Sequence, residues 1–257
     1  MTSIWGLPTM SLRNKRLQFK YLVERVVKRI QGWIQRYFSV EGKEVLIKSV
    51  LQSIPTYAMS CFRILKSICD YIEGECANFW WGVEGGRRKM HWKSWDFLCQ
   101  PKLRGGLGFR KMDEFNRALL AKQFWRLLRN QDSLVFRVLK GRYFKHGRLL
   151  DASLGNNPSY IWSSFLWSKE ILTKGLVWRV GDGAAIDIYK DIGIPSLTSK
   201  LGQSSSMGQR NNPISSLIKN GSWDQDLISH KFNSFVADEI VKIPLTVHPG
   251  RDINFGT

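Results

Sequence analysis

The residues whose types and spacing could do chemistry lie between Phe79 and Arg110, in the run FWWGVEGGRRKMHWKSWDFLCQPKLRGGLGFR. The cations Arg87, Arg88, Lys89, Lys93, Lys102, Arg104 and Arg110 are interleaved there with Trp80, Trp81, Trp92 and Trp95. This is the pairing a single-stranded polyanion needs, because cations meet phosphates and flat rings give bases a surface to stack on. The same residue types also describe a small tryptophan-rich core under a solvated basic loop. The cations are therefore the candidate nucleic-acid contacts. Trp92 and Trp95 are the candidate stacking rings, with core packing as the competing role for each.

Other chemistry has weaker support. Metal-assisted phosphoryl transfer needs several carboxylates converging on metal ions. Asp70, Glu73 and Glu75 cluster on one predicted helix and read as surface groups, while Asp182 serves a turn. Cys61, Cys69, Cys76 and Cys99 form no CxxC pair, and their spacing with His91 matches no familiar zinc pattern. Buried free thiols in a reducing compartment are the better reading. None of His91, His146, His230 and His248 sits in a nucleophile motif. No catalytic residue, metal or cofactor is called for.

The charge is divided unevenly. Residues 1–150 hold 29 Lys and Arg against 11 Asp and Glu, whereas residues 151–257 hold 10 of each. The whole excess of +18 thus lies in the first part, which is the candidate surface for a polyanion. A membrane surface is the rival polyanion, but no long apolar span is present and the helical stripes are core-like. No secretory leader is visible at Met1 to Met10, so the expected location is intracellular, nuclear or cytoplasmic.

The elements that must position these residues are mostly helical. Periodicity predicts an amphipathic helix over 13–37, with Phe19, Leu22, Val23, Val26, Ile30 and Trp33 on its apolar side. Arg13, Lys15, Arg16, Lys20, Arg25, Lys28, Arg29 and Arg36 occupy the rest, against Glu24 alone. Such a helix could pack by one face and follow phosphates by the other. Ser39 caps a second helix that Pro55 interrupts. A third runs from Lys66 to Trp81, and Gly82 to Lys89 makes a loop at its end. Lys89 to Trp92 reads as a short strand, and Ser94 starts a short helix that Pro101 ends. Gly105, Gly106 and Gly108 make either a turn or a phosphate cradle, with the turn preferred. Asp113 caps a helix with Phe115, Ala118, Leu119, Trp125 and Leu128 on its apolar side. Ser133 starts another through Tyr143, and a further one spans Ser159 to Lys174. Val177–Val180 and Ala185–Tyr189 alternate around Gly181-Asp182-Gly183, as a β-hairpin near 177–190 would. Residues 196–213 read as a flexible linker and 214–245 as weakly amphipathic helix.

Several of these runs resemble one family. FWWG, KMHWKSWDFLCQPK and GGLGFR follow one another as they do in plant LINE-type (non-LTR) retrotransposon polyproteins, after the reverse transcriptase palm and before the zinc-binding and ribonuclease H regions. VLIKSVLQSIPTYAMSCF, FNRALLAKQFWRLL, SLVFRVLKGRYF and WRVGDG are similar to the same family, so the resemblance covers about residues 5–245. Trp5-Gly6-Leu7-Pro8 resembles a stretch near the primer grip, with Ile4-Trp5 where the family has Tyr-Leu, and suggests a start inside a longer frame. The tail from His248 leaves the pattern before the zinc-binding region.

The resemblance implies a mainly α fold: a helical thumb-like bundle (1–81), then a basic Trp-rich connection (82–195) carrying the hairpin. A linker (196–213) and a C-terminal helical segment (214–257) follow. It implies a fragment of an RNA-directed DNA polymerase with RNA, DNA or an RNA–DNA hybrid as partner, together with the palm and ribonuclease H parts of the parent. The Tyr-x-Asp-Asp of a palm and the acids of a ribonuclease H are both absent from the sequence. The function expected is thus non-catalytic binding of nucleic-acid backbone. A stand-alone RNA- or DNA-binding protein derived from a retroelement, and a decayed fragment with no function, remain as alternatives.

Overall fold

A computed structural model of the chain describes residues 3–4, 7–8, 15–33, 38–84, 87–179, 183, 213–219, 221–243, 245 and 253–256. The architecture is mainly α. The chain divides into two compact units, Met1–Ile171 and Leu172–Thr257.

In the first unit, Ser3–Ile4 (β1) pairs antiparallel with Leu7–Pro8 (β2), and α1 (Lys15–Gln31) buries Phe19, Leu22, Val26 and Ile30, the helical stripe read from the sequence. Ser39 accepts the Gly42 amide at 3.1 Å and starts α2 (Val40–Leu46). A π-helical segment, Ile47–Leu51, continues it and buries Ile47 and Leu51. The wider turn also carries Gln52 into the interior, where its Nε2 donates to the Arg110 carbonyl at 3.2 Å. Pro55 breaks the run as expected, and α3 (Thr56–Cys61) follows.

Helix α4 (Lys66–Trp81) buries Ile68, Ile72, Cys76 and Phe79 against α1. Phe19 lies 6.1 Å from Phe62, just before α4, while Trp33, past the end of α1, lies 5.2 Å from Phe79 in the last turn of α4. Helices α1 and α4 therefore run parallel, and their C-terminal ends share one end of the unit. At that end Val83–Glu84 (β3) pairs antiparallel with Arg87–Arg88 (β4). The short strand expected at Lys89–Trp92 is instead irregular chain, because the pairing is completed two residues earlier.

Ser94 caps α5 (Trp95–Leu98), accepting the Phe97 amide at 3.2 Å. Helix α6 (Met112–Arg129) differs from expectation twice. Its N-cap is Lys111, not Asp113, and its first amide, that of Met112, donates to Glu73 of α4 at 2.6 Å. Its buried face is Met112, Asn116, Leu120, Phe124 and Leu127, rotated from the predicted Phe115–Leu119 stripe. The cause is Asn116, polar yet fully buried. It accepts the Ile64 amide at 2.8 Å and donates to the Met59 and Phe62 carbonyls at 2.7 and 2.9 Å. It thereby satisfies backbone groups that burial would otherwise leave unpaired. Phe79, Leu98, Phe109 and Met112 belong to one hydrophobic core, so the boundary expected after residue 81 runs through that core.

Ser133 caps α7 (Leu134–Tyr143) and Ser159 caps α8 (Tyr160–Gly175), both by accepting an amide three residues on. Trp162 of α8 is fully buried and stacks on Tyr143 at 4.7 Å.

In the second unit, Leu176–Arg179 (β5) pairs antiparallel with Ile253–Gly256. Of the hairpin expected near 177–190, this strand is described, whereas 180–182 and 184–190 lie outside the described residues, as do 196–212 of the expected linker. A 3-10 turn (Ile214–Leu217) leads into the pair Ile218–Lys219 (β6) and Ser222–Trp223 (β7). Helices α9 (Gln225–Lys231) and α10 (Ser234–Val241) follow, capped by Asp224 and Asn233. Ile214, Leu217, Ile228, Val236 and Ile240 form its core.

Candidate nucleic-acid interface

The candidate residues occupy the tip of the first unit and the chain returning from it. Arg87 and Arg88 form strand β4. Lys89, Trp92 and Lys93 lie on the exposed segment beyond it. The Trp92 ring, 76% exposed, faces solvent. Lys93 lies 4.8 Å over the Phe97 ring and Arg110 lies 4.5 Å over Phe115, so both cations rest on aromatic faces. Arg104 is exposed on a single 3-10 turn, Lys102–Arg104.

Two candidates are committed elsewhere. Trp95 stacks on Phe109 at 5.0 Å with the rings 11° apart, and Trp80 meets the same phenyl ring edge-on at 5.6 Å. One face of Trp95 is therefore filled, and it belongs with the core. Lys102 pairs with Glu44 at 3.0 Å, and Glu44 also takes Lys48 at 2.6 Å. These two lysines hold the Glu44 carboxyl below its ordinary range.

The Gly105–Gly108 segment is a turn, not a phosphate cradle. The amides of Gly105, Gly106, Leu107 and Gly108 donate to the carbonyls of Lys102, Pro101, Leu98 and Gln100 at 3.0, 3.3, 2.9 and 2.9 Å. None is left to point at an anion. Gly106 is required by close approach, since a Cβ there would lie 2.1 Å from the Gln100 carbonyl oxygen.

The thiols are placed as core groups. Burial pushes both Cys69 and Cys99 up to about 12 and raises Cys76 further, so none is a thiolate at neutral pH. His91 is exposed and stacked on Trp81 at 6.0 Å.

A second basic feature lies at the same end. Arg25, Lys28, Arg29, Gly32, Trp33 and Ile54 line a cavity of about 510 Å³. Its cations follow one helical stripe (i, i+3, i+4), and the indole of Trp33, resting on Phe79, forms a wall. Arg25, Lys28 and Arg29 make no ion pair with any described carboxylate, so their charge is uncompensated. This stripe was visible as the basic face of α1, but the cavity was not, because Ile54 reaches it from elsewhere in the chain and Phe79 supports its Trp33 wall. Positive charge also accumulates near the tip, where Lys43 donates to the Trp80 carbonyl at 3.4 Å. Burial first, and then the charge of Lys89, lower the Lys43 pKa.

Over 140 residues the sequence is 41% identical to the uncharacterized mitochondrial protein AtMg00310 of Arabidopsis thaliana, a match covering 54% of this chain and 91% of that protein. The chain belongs to that protein's family. It is also 34% identical over 190 residues to an Arabidopsis thaliana protein named "Putative ribonuclease H protein At1g65750". That match covers 72% of this chain, which spans 30% of the length of that relative. No family model matches the sequence, and no solved structure matches it. Among the described residues, no helix is long and apolar enough to cross a membrane.

Proposed function

We propose that the first unit grips the sugar-phosphate backbone of RNA, DNA or an RNA–DNA hybrid, as the non-catalytic, thumb-like part of a plant retroelement polyprotein. The carrying observation is the gathering of cations at one end of the unit. Arg25, Lys28 and Arg29, uncompensated, line an aromatic-walled cavity there, and Lys89, Trp92 and Lys93 lie exposed beyond the tip strands. Uncompensated like charges repel in the free protein and are relieved when phosphates replace their counterions. The relative named for ribonuclease H supports the reading, since this chain matches a segment within a protein more than three times its matched length and named for a nucleic-acid-processing activity. The sequence resemblance to LINE-type polyproteins supplies the finer assignment to the region after the palm.

A stand-alone role is the second reading. It is favoured by the mitochondrial relative, 91% of which is taken up by the matched stretch.

The test is binding of the full chain to a labelled RNA–DNA hybrid across a salt series. Affinity should fall steeply with salt, with log K linear in log salt. Arg25, Lys28 and Arg29 changed together to Gln should weaken binding roughly 10- to 100-fold at low salt and flatten the slope by about 0.7–0.9 for each phosphate no longer neutralised. A wild-type slope near zero, or an unchanged slope in the variant, removes the proposal.

A further inference from the structure

At the opposite end of the parallel helices lies a site that backbone gripping does not use. The start of α1, the segment joining α3 to α4, and the first turn of α8 enclose a cavity of about 350 Å³. Its polar lining is Lys15, Arg63, Lys66, Tyr160, Ser163 and Ser164, which is three cations and no carboxylate. The length of α4, 16 residues or about 24 Å, separates it from the tip.

All three cations are exposed, and two of them, Lys15 and Arg63, rest on aromatic faces. The Arg63 backbone is clamped by α8, its amide donating to Ser164 Oγ at 2.9 Å and its carbonyl accepting from the Tyr160 hydroxyl. Its guanidinium lies 4.3 Å over the Trp167 ring. Lys15 lies 4.3 Å over the Tyr160 ring, and Tyr160 in turn stacks on Phe62 at 5.9 Å. Lys66 opens α4, whose N-cap, Leu65, has no side chain to offer the first amides. None of the three cations makes an ion pair with a described carboxylate.

The hydroxyl protons around the cavity are already committed. Ser163 donates to the Ser159 carbonyl at 3.0 Å, Ser164 to the Tyr160 carbonyl at 2.7 Å, and Tyr160 to the Arg63 carbonyl. Recognition must then come from the ammonium and guanidinium donors. A ligand met by three positive charges and few neutral donors is a multiply charged oxyanion.

We propose that Lys15, Arg63 and Lys66 form a binding site for a phosphate dianion, either free phosphate or the terminal phosphate of a nucleic-acid strand. A phosphodiester carries one negative charge and satisfies the three cations less completely than a monoester does. The site stands on its own geometry and does not require the tip to bind anything.

The experiment is calorimetric titration of the full chain with inorganic phosphate in a phosphate-free, low-salt buffer. A saturable site is expected, weakened at least tenfold by Arg63→Gln and by Lys66→Gln and unchanged by Lys219→Gln, which lies in the near-neutral second unit. Lys66 is exposed, so Lys66→Gln keeps the test valid where Arg63→Gln disturbs Trp167. Heats without saturation, or full affinity in both variants, overturn the proposal. A companion titration compares one oligonucleotide with a 5′-phosphate or a 5′-hydroxyl end. An advantage for the phosphorylated end that Lys66→Gln abolishes assigns the site to strand ends. Equal binding of the two ends, with inorganic phosphate still bound, assigns it to a small phosphate ligand.

Discussion

The two units are built by the same rules and differ in what they leave on the surface. Each buries an apolar core between its helices, several of which are capped by a side chain. Yet residues 1–171 carry 30 Lys and Arg against 13 Asp and Glu, while residues 172–257 carry 9 against 8. The near-neutral unit shows that capped helices on an apolar core need no charge excess to form. The excess in the first unit is therefore not a requirement of folding. It opposes folding through self-repulsion, which the proposed binding of a polyanion would relieve.

The sharpest test of the shared building rules is the glycine each unit places against backbone. A Cβ at Gly106 would meet the Gln100 carbonyl oxygen at 2.1 Å, and one at Gly183, at φ +70°, would meet the Ser215 amide nitrogen at 2.7 Å. Gly106→Ala and Gly183→Ala should each cost about 3 kcal/mol or more in denaturant unfolding. A loss below about 1 kcal/mol in either would show that its turn can relax.

The contrast in charge predicts a difference in binding. Changing Lys219 and Lys231, both exposed in the second unit, to Gln should alter hybrid affinity by less than about twofold, because isolated cations in a neutral field gather few counterions. An effect matching that of the Arg25, Lys28 and Arg29 variant would erase the distinction between the units.

The smallest expected effect concerns Glu73. Burial raises its carboxyl above the ordinary range, against the opposing pull of the Met112 amide. The native state therefore keeps this proton at pH values where the unfolded chain has lost it. The resulting penalty is absent below the ordinary Glu range and grows as pH rises through the raised value. Glu73→Gln keeps an acceptor for Met112 and removes the charge. It should gain a little stability at pH 7 and none near pH 4, the lower end of the ordinary Glu range. Denaturant midpoints at both pH values check this, and a loss at pH 7 would mean that the charged carboxylate is worth more than its desolvation costs.

Much of the helical fold was legible because its signals are local. Ser39, Ser94, Ser133 and Ser159 each accept an amide three residues on, so the start of a helix is written within one turn of sequence. The α1 stripe and the break at Pro55 are equally local. The candidate site was legible in composition but not in membership. Lys102 reads as a free cation until Glu44 is brought to 3.0 Å, and Trp95 reads as a stacking ring until Phe109 covers its face. Asn116 misled the reading of α6, since an asparagine interrupts an apolar stripe unless its partners, 52 to 57 residues away, are known.

By itself, then, the sequence determined the helical class, most helix starts and the location of the charge excess in the first part. These depend on composition and on neighbours within a turn of helix. Tertiary structure alone decided which cations stay uncompensated, which tryptophan packs, what caps α6, and that Lys15, Arg63 and Lys66 surround one cavity. Those outcomes depend on groups far apart in the chain meeting at hydrogen-bond and ring-contact distances, where burial and pairing set the energy and sequence spacing carries no information about the partner.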